Sequence, residues 1–340
     1  MPSETREEPL HYGPGRLQTY TIWRTPSPTA PTPSLSTSLQ QQQQQQQPPL
    51  WILYVHGGAW RDPLQSSANI LPTLHHLTTL FEHAPALADP ARFAGVLSID
   101  YRLSPYPAHP TAPSDPADDQ RNVRHPEHVR DLAAAVAHVK REHNVKRWVG
   151  VGHSCGATML LHYIAGIGLS PSSTSSFLEQ GFGFDVEKRN QGLEALILLE
   201  GIYSLPRLLT NHEPPSCPEH IAQIYRDLAR GAFGEDPDGV VYENVSPVAG
   251  DYKLQTWVDG KLIIVGYSGE DELVEREQGE VLMRRLEEQG WSKVKGRDAD
   301  DEMVTEKRVV ELKELKGTHD FVWRDGRQIA GLIAEVVGRL

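Results

Sequence analysis

The sequence predicts an α/β protein: a central, mostly parallel sheet with helices on both faces and lid-like insertions above one edge. From about residue 50 onward, short apolar runs alternate with segments of helical periodicity. The runs are apolar without strict alternation, as strands covered on both faces must be. Length is the third observation. The chain has 340 residues, more than the roughly 250 that one α/β core uses. The excess is polar, so a single domain over 1–340 with insertions is expected.

The elements follow in order. Thr19 to Arg24 (TYTIWR) alternates apolar with polar residues and reads as a short edge strand. From 25 to 49 the chain is Pro, Ser and Thr followed by the glutamines Gln40 to Gln47. Such a composition cannot bury enough apolar surface to offset its ordering entropy, so a disordered surface insertion is expected. Further strands are predicted at Leu50 to Val55, Gly95 to Tyr101, Arg147 to Val151, Leu193 to Leu199, Lys261 to Gly266 and Arg308 to Leu312. Helices are predicted between them. Pro126 to Glu142 places Val129, Leu132, Ala133, Val136 and Val139 on one face, with Pro126 suited to a first turn. Cys155 to Ile164, Glu277 to Glu288 and Arg327 to Arg339 supply others. Three stretches break the rhythm: 104–125, 166–192 and 206–255, the last with a helix around His220 to Arg230. Insertions of this size become loops and lids above the C-terminal edge of such a sheet, and 206–255 is the expected lid. The polar stretch 292–307 reads as a surface loop.

Composition excludes several functions. Against 33 Lys and Arg stand 45 Asp and Glu, a formal charge of −12 with no basic cluster, so nucleic acid is not an expected partner. No apolar run approaches the ~18 residues a membrane span needs, and MPSETREEPL offers no apolar core for a leader. A cytoplasmic location is the expectation. Cys155 and Cys217 are too few for a disulfide framework. Metal motifs are weak: His212, Cys217 and His220 lie among prolines at an unusual spacing, and the acidic run Asp298 to Glu302 lacks the spaced oxygens of a calcium loop.

The chemistry concentrates in four places. Gly152-His153-Ser154-Cys155-Gly156 is G-x-S-x-G between a strand and a helix. A strand turning abruptly into a helix forces the serine into a strained conformation, and glycines at both flanks remove the collisions. The turn lifts the Ser154 hydroxyl above the sheet edge and leaves the Cys155 N–H at a helix N-terminus. A competing dinucleotide reading of Gly150-Val151-Gly152 fails on spacing, since the next glycine is four residues on. The second place is His56-Gly57-Gly58-Ala59-Trp60 after the first central strand. Its consecutive glycines let backbone N–H groups approach a developing oxyanion, so Gly57, Gly58 and Cys155 are the candidate donors and His56 a structural residue. A serine nucleophile also needs an acid and then a histidine later in the chain. Asp271, just past a strand end, is the candidate acid, with Glu270 and Glu272 as neighbours. His319 is the sole histidine after His220 and the candidate base.

These residues resemble the α/β-hydrolase superfamily and, more narrowly, the fungal kynurenine formamidases, or arylformamidases. The resemblance rests on H-G-G-A-W at His56 to Trp60, D-Y-R-L-S-P at Asp100 to Pro105, Arg124-His125-Pro126, G-H-S-C-G, Asp271-Glu272-Leu273 and Thr318-His319-Asp320. It covers the chain from about Leu50 onward. It implies Ser154 as nucleophile with Asp271 and His319 as partners, hydrolysing N-formyl-L-kynurenine to L-kynurenine and formate in tryptophan degradation, the pathway that feeds NAD biosynthesis. No metal or organic cofactor is called for, the expected partner is this small substrate, and a homodimer is compatible with the sequence. Hormone-sensitive-lipase-like esterases share the pattern but usually carry a third glycine where this chain has Ala59, which leaves a broad carboxylesterase as the alternative. A non-catalytic binding protein on the same fold is the alternative of another class. Trp60 is a candidate wall for the aromatic leaving group.

Overall fold

A computed structural model describes residues 9–25, 47–84, 89–169, 186–294 and 308–340. Most of the 25–49 insertion, the acidic run 298–302 and much of 166–192 lie outside the described residues. The chain runs β1 (Leu10–His11), β2 (Thr19–Arg24), β3 (Leu50–Val55), α1 (Leu71–His83), β4 (Phe93–Ile99), α2 (Glu127–Glu142), β5 (Arg147–His153), α3 (Cys155–Ala165), α4 (Val186–Asn190), β6 (Leu193–Leu199), α5 (Leu205–Asn211), α6 (Glu219–Phe233), α7 (Val240–Asn244), β7 (Leu262–Ser268), α8 (Glu277–Glu288), β8 (Ser292–Val294), β9 (Val309–Leu315), α9 (Phe321–Asp325) and α10 (Arg327–Arg339).

The strands form one sheet in the order β1-β2-β4-β3-β5-β6-β7-β9-β8. Pairing is parallel from β4 through β8 and antiparallel only at β1–β2 and β2–β4. Strand β2 is therefore not the edge, because the two-residue β1 covers it. The start of the expected 292–307 loop is likewise a strand, β8, paired with β9.

Both faces of the sheet are covered, and β3 makes the division explicit. Trp51, Leu53 and Val55 enter one core with residues of α2, α3 and α8, while Leu50, Ile52 and Tyr54 enter the other with α1 and α10. Alternate side chains of a strand point to opposite faces, so an unbroken apolar run is what two cores demand. Helix α2 starts at Glu127, with Pro126 in the N-cap position rather than the first turn.

On the α2–α3 side lie two buried histidines, His128 and His162, and the half-buried His125, with no carboxylate partner among the described residues to charge them. Burial pushes His125 down to about 4, and burial pushes His128 and His162 down to about 3. Their neutral rings are used: His128 Nε2 meets Ser104 Oγ at 3.0 Å and His162 Nε2 donates to the Val245 carbonyl at 2.6 Å. Unfolding returns each ring to a pKa near 6.5. The unfolded chain thus binds more protons below pH 6.5, and stability present above that pH is lost as pH falls toward 4. Each ring contributes about 1.4 kcal/mol per pH unit in that window. Among the described residues one buried carboxyl with a raised pKa, Glu200, opposes a single one of them. The expected outcome is a thermal midpoint that drops steeply between pH 6.5 and 5, with a shallower fall in His162→Gln; a flat profile over that range would contradict the assignment.

Candidate active site

Five consecutive neighbours in the sheet, β3, β5, β6, β7 and β9, each end at the same edge, and each delivers one part of the site: His56, Ser154, Glu200, Asp271 and His319. This is the carboxyl edge of parallel strands, where open α/β sheets hold their ligands.

Ser154 has φ 53° and ψ −126°, a strained conformation between β5 and α3. The glycines around it are sterically required. A Cβ on Gly152 would lie 2.6 Å from Ala157 N, and one on Gly156 would lie 2.2 Å from Val55 O and 2.7 Å from His56 O. The serine turn is thus locked against the end of β3. Gly57 is just as close, since a Cβ there would stand 3.0 Å from that of Ser154, so the H-G-G loop lies directly beside the serine. Gly58 has φ +96°, and its carbonyl accepts from Arg61 N at 2.9 Å and Asp62 N at 2.8 Å. Among the described residues neither the Gly57 nor the Gly58 N–H donates to a protein acceptor.

His56 holds this loop rather than reacting. Its Nδ1 donates to the Gly57 carbonyl at 2.8 Å, and its ring stacks on Tyr101 at 4.4 Å. The Tyr101 hydroxyl reaches the His56 and Gly57 carbonyls, both at 3.1 Å. The Cys155 thiol accepts from Trp60 N at 3.2 Å and is pushed up to about 11 by burial; it is a packing group and not a nucleophile. Trp60 is 1 % exposed and meets Phe233 of α6 edge-to-face at 5.0 Å. That corrects its expected role as a wall for substrate: it belongs to the core.

Asp271 and His319 come together. His319 Nδ1 lies 2.8 Å from Asp271 Oδ2, which fixes the Nδ1–H tautomer and leaves Nε2 to exchange a proton. The two neighbouring carboxylates brace the histidine loop instead: Glu272 accepts from His319 N at 3.1 Å and Glu270 from Gly317 N at 3.2 Å. Ser268 Oγ adds a bond to the Gly317 carbonyl at 2.7 Å. The 206–255 insertion reaches the same loops. Tyr225 of α6 donates to the Leu273 carbonyl at 2.8 Å, and Asn211 of α5 to Glu275 at 2.8 Å.

Sequence reasoning missed two members of this neighbourhood, Glu200 and the role of His153. Glu200 follows β6 and is 3 % exposed; burial, then Asp271, Glu272 and Asp320, push it up to about 10. His153 is held well below its usual value by burial and by His319, and its Nε2 lies 3.2 Å from Glu200 Oε2 and 3.1 Å from the His319 carbonyl. A carboxylate immediately past a parallel strand was the available signal for Glu200. His153, Glu200 and His319 also carry metal-ligand chemistry, with one atom each within 4.8 Å of the others. Those atoms are already engaged, His153 Nε2 by a carbonyl and His319 Nδ1 by Asp271, and a zinc site with bonds of about 2.0–2.2 Å needs free donors. The cluster suits hydrogen bonding. His212, Cys217 and His220 form no metal-binding group among the described residues.

Comparison with known proteins decides the fold. The chain aligns along 98 % of its length with esterase B of Lactobacillus rhamnosis (TM-score 0.55, 13 % identity, 85 % of that chain), and along all of it with a butyrate-bound esterase from Thermogutta terrifontis (TM-score 0.52, 14 % identity, 97 % of that chain). It has the α/β-hydrolase fold. In sequence the chain is similar to a kynurenine formamidase-like hydrolase of Fusarium equiseti, at 28 % identity over 85 % of the chain and 83 % of the relative. Kynurenine formamidases of Aspergillus versicolor and Meyerozyma guilliermondii match at 27 % and 25 % identity, over 82 % and 85 % of the chain and 84 % and 85 % of theirs. No family model matches. Among the described residues no helix is long and apolar enough to cross a membrane.

Proposed function

We propose that the protein is a serine hydrolase that cleaves N-formyl-L-kynurenine to L-kynurenine and formate. The observation that carries the chemistry is the 2.8 Å contact of His319 Nδ1 with Asp271, on a loop whose His319 carbonyl lies 3.1 Å from Nε2 of His153, the residue before the strained Ser154. The choice of substrate is supported by the likeness to kynurenine formamidases over most of the chain. In this reading the Ser154 oxygen attacks the formyl carbon while His319 Nε2 takes its proton, and Asp271 stabilises the imidazolium that forms. The N–H groups of Gly57, Gly58 and Cys155 hold the oxyanion. His319 then protonates the departing aryl nitrogen. Water, deprotonated by the same imidazole, releases formate from the formyl-serine. The insertion 206–255 serves as the cover of the leaving-group side, since α5 and α6 bond to the backbone and side chains just past Asp271.

The tight packing of Gly57 against Ser154 suits a small acyl group. On a common aryl amine, kcat/KM is expected to fall by at least about tenfold from formyl to acetyl, roughly 1.4 kcal/mol in transition-state binding, and further to butyryl. Steady-state kinetics on the three anilides decides the point. A rise toward butyryl would discard the formamidase and leave a carboxylesterase.

A further inference from the structure

Glu200 has features that packing alone does not explain. It follows β6 with φ 51°, a conformation that costs a non-glycine residue energy. Its side chain is sealed from solvent, and among the described residues its Oε1 has no hydrogen-bond partner. Oε2 faces two histidines at once, 3.2 Å from His153 Nε2 and 3.8 Å from His319 Nδ1. The second of these is the nitrogen that Asp271 holds at 2.8 Å. One imidazole nitrogen therefore has a carboxyl in contact and a second about 1 Å short of hydrogen-bond distance.

We propose that Glu200 is a positioning residue for His319: through His153 it fixes the His319 backbone carbonyl, and its carboxyl is a reserve acid that orients Nδ1 when Asp271 cannot. This rests on the Ser154–His319–Asp271 reading above and extends it. The groups facing Glu200 are His153 from β5, Tyr203 beyond β6, Asp271 and Glu272 beyond β7, and His319 and Asp320 beyond β9. Three of these are carboxylates, and with burial they keep Glu200 protonated at neutral pH. In the intact site it is therefore a neutral hydrogen-bonding group. Removing the Asp271 charge takes away the largest charge holding that proton. Glu200 then releases its proton to solvent at lower pH, and the carboxylate formed accepts the Nδ1–H of His319 after a shift of about 1 Å.

The test is a double-mutant cycle on the full chain, with an activated aryl ester as substrate so that leaving-group chemistry is not limiting. Asp271→Asn alone is expected to lose about 10²-fold at pH 9 rather than the roughly 10⁴-fold of a triad with one acid. Its kcat/KM is expected to rise with pH above 7 as a single group ionises. Glu200→Gln alone is expected to cost about fivefold through the His153 contact, and about a hundredfold in the Asp271→Asn background, with the alkaline rise abolished. Equal cost of Glu200→Gln in both backgrounds would mean a structural role only and overturn the proposal. Should Glu200→Gln fail to fold by circular dichroism, the Asp271→Asn profile alone decides, and a profile without the extra ionisation overturns it. The underlying triad is judged separately: full activity in Asp271→Asn and in Ser154→Ala would remove that reading itself.

Discussion

Replacing Ser154 with alanine is expected to lower kcat/KM by about 10⁴-fold or more with little change in thermal midpoint. The reason lies in the turn. Alanine keeps the Cβ that already sits at φ 53° against Gly57, so the sterics of the elbow are unaltered and only the hydroxyl is lost. His319→Ala is expected to cost a comparable factor, and the double variant little more, because the serine and its base act as a unit. Kinetics on all three variants, with circular dichroism melts beside them, makes the comparison. Additive losses would mean that the two residues serve different steps, and near-normal turnover in Ser154→Ala would move the nucleophile elsewhere.

What the sequence makes legible follows from how local each cause is. Strands β3, β5, β6 and β7 are covered on both faces, so burial writes an unbroken apolar run into each. Strand β9 is readable only to Leu312, because Lys313 and Glu314 look like a solvated turn. It runs to Leu315 because Lys313 pairs with Glu311 at 3.2 Å and with Glu335 of α10 at 2.9 Å, contacts that only the fold supplies. Helix α1 has no side-chain cap and buries only Thr73 and Leu77. Its stability comes from packing on α10, so its own periodicity is faint. The same division holds at the site. Ser154, Asp271 and His319 follow from chain order and glycine spacing, whereas Glu200 is chemically an ordinary glutamate until three other segments enclose it.

The second large effect belongs to a residue with no functional group. Gly156→Ala would place a methyl 2.2 Å from Val55 O and 2.7 Å from His56 O, and both are backbone atoms that cannot swing aside. Helix α3 must then withdraw from β3, or the end of β3 must move and carry Gly57 and Gly58 with it. Overpacking a close-packed interior costs about 1–3 kcal/mol even where side chains can yield, so a loss of at least about 3 kcal/mol is expected here. Activity should fall further than stability, since the displaced segment holds the oxyanion donors. Gly331→Ala is the matched control. It lies in α10 with nothing within 4 Å of an added Cβ, and alanine in a helix interior gains up to about 1 kcal/mol over glycine. Urea unfolding of the two variants should therefore give midpoints displaced in opposite directions. A Gly156→Ala protein as stable and as active as the parent would show that the helix and strand can separate without disturbing the serine, and the steric account of the elbow would fail.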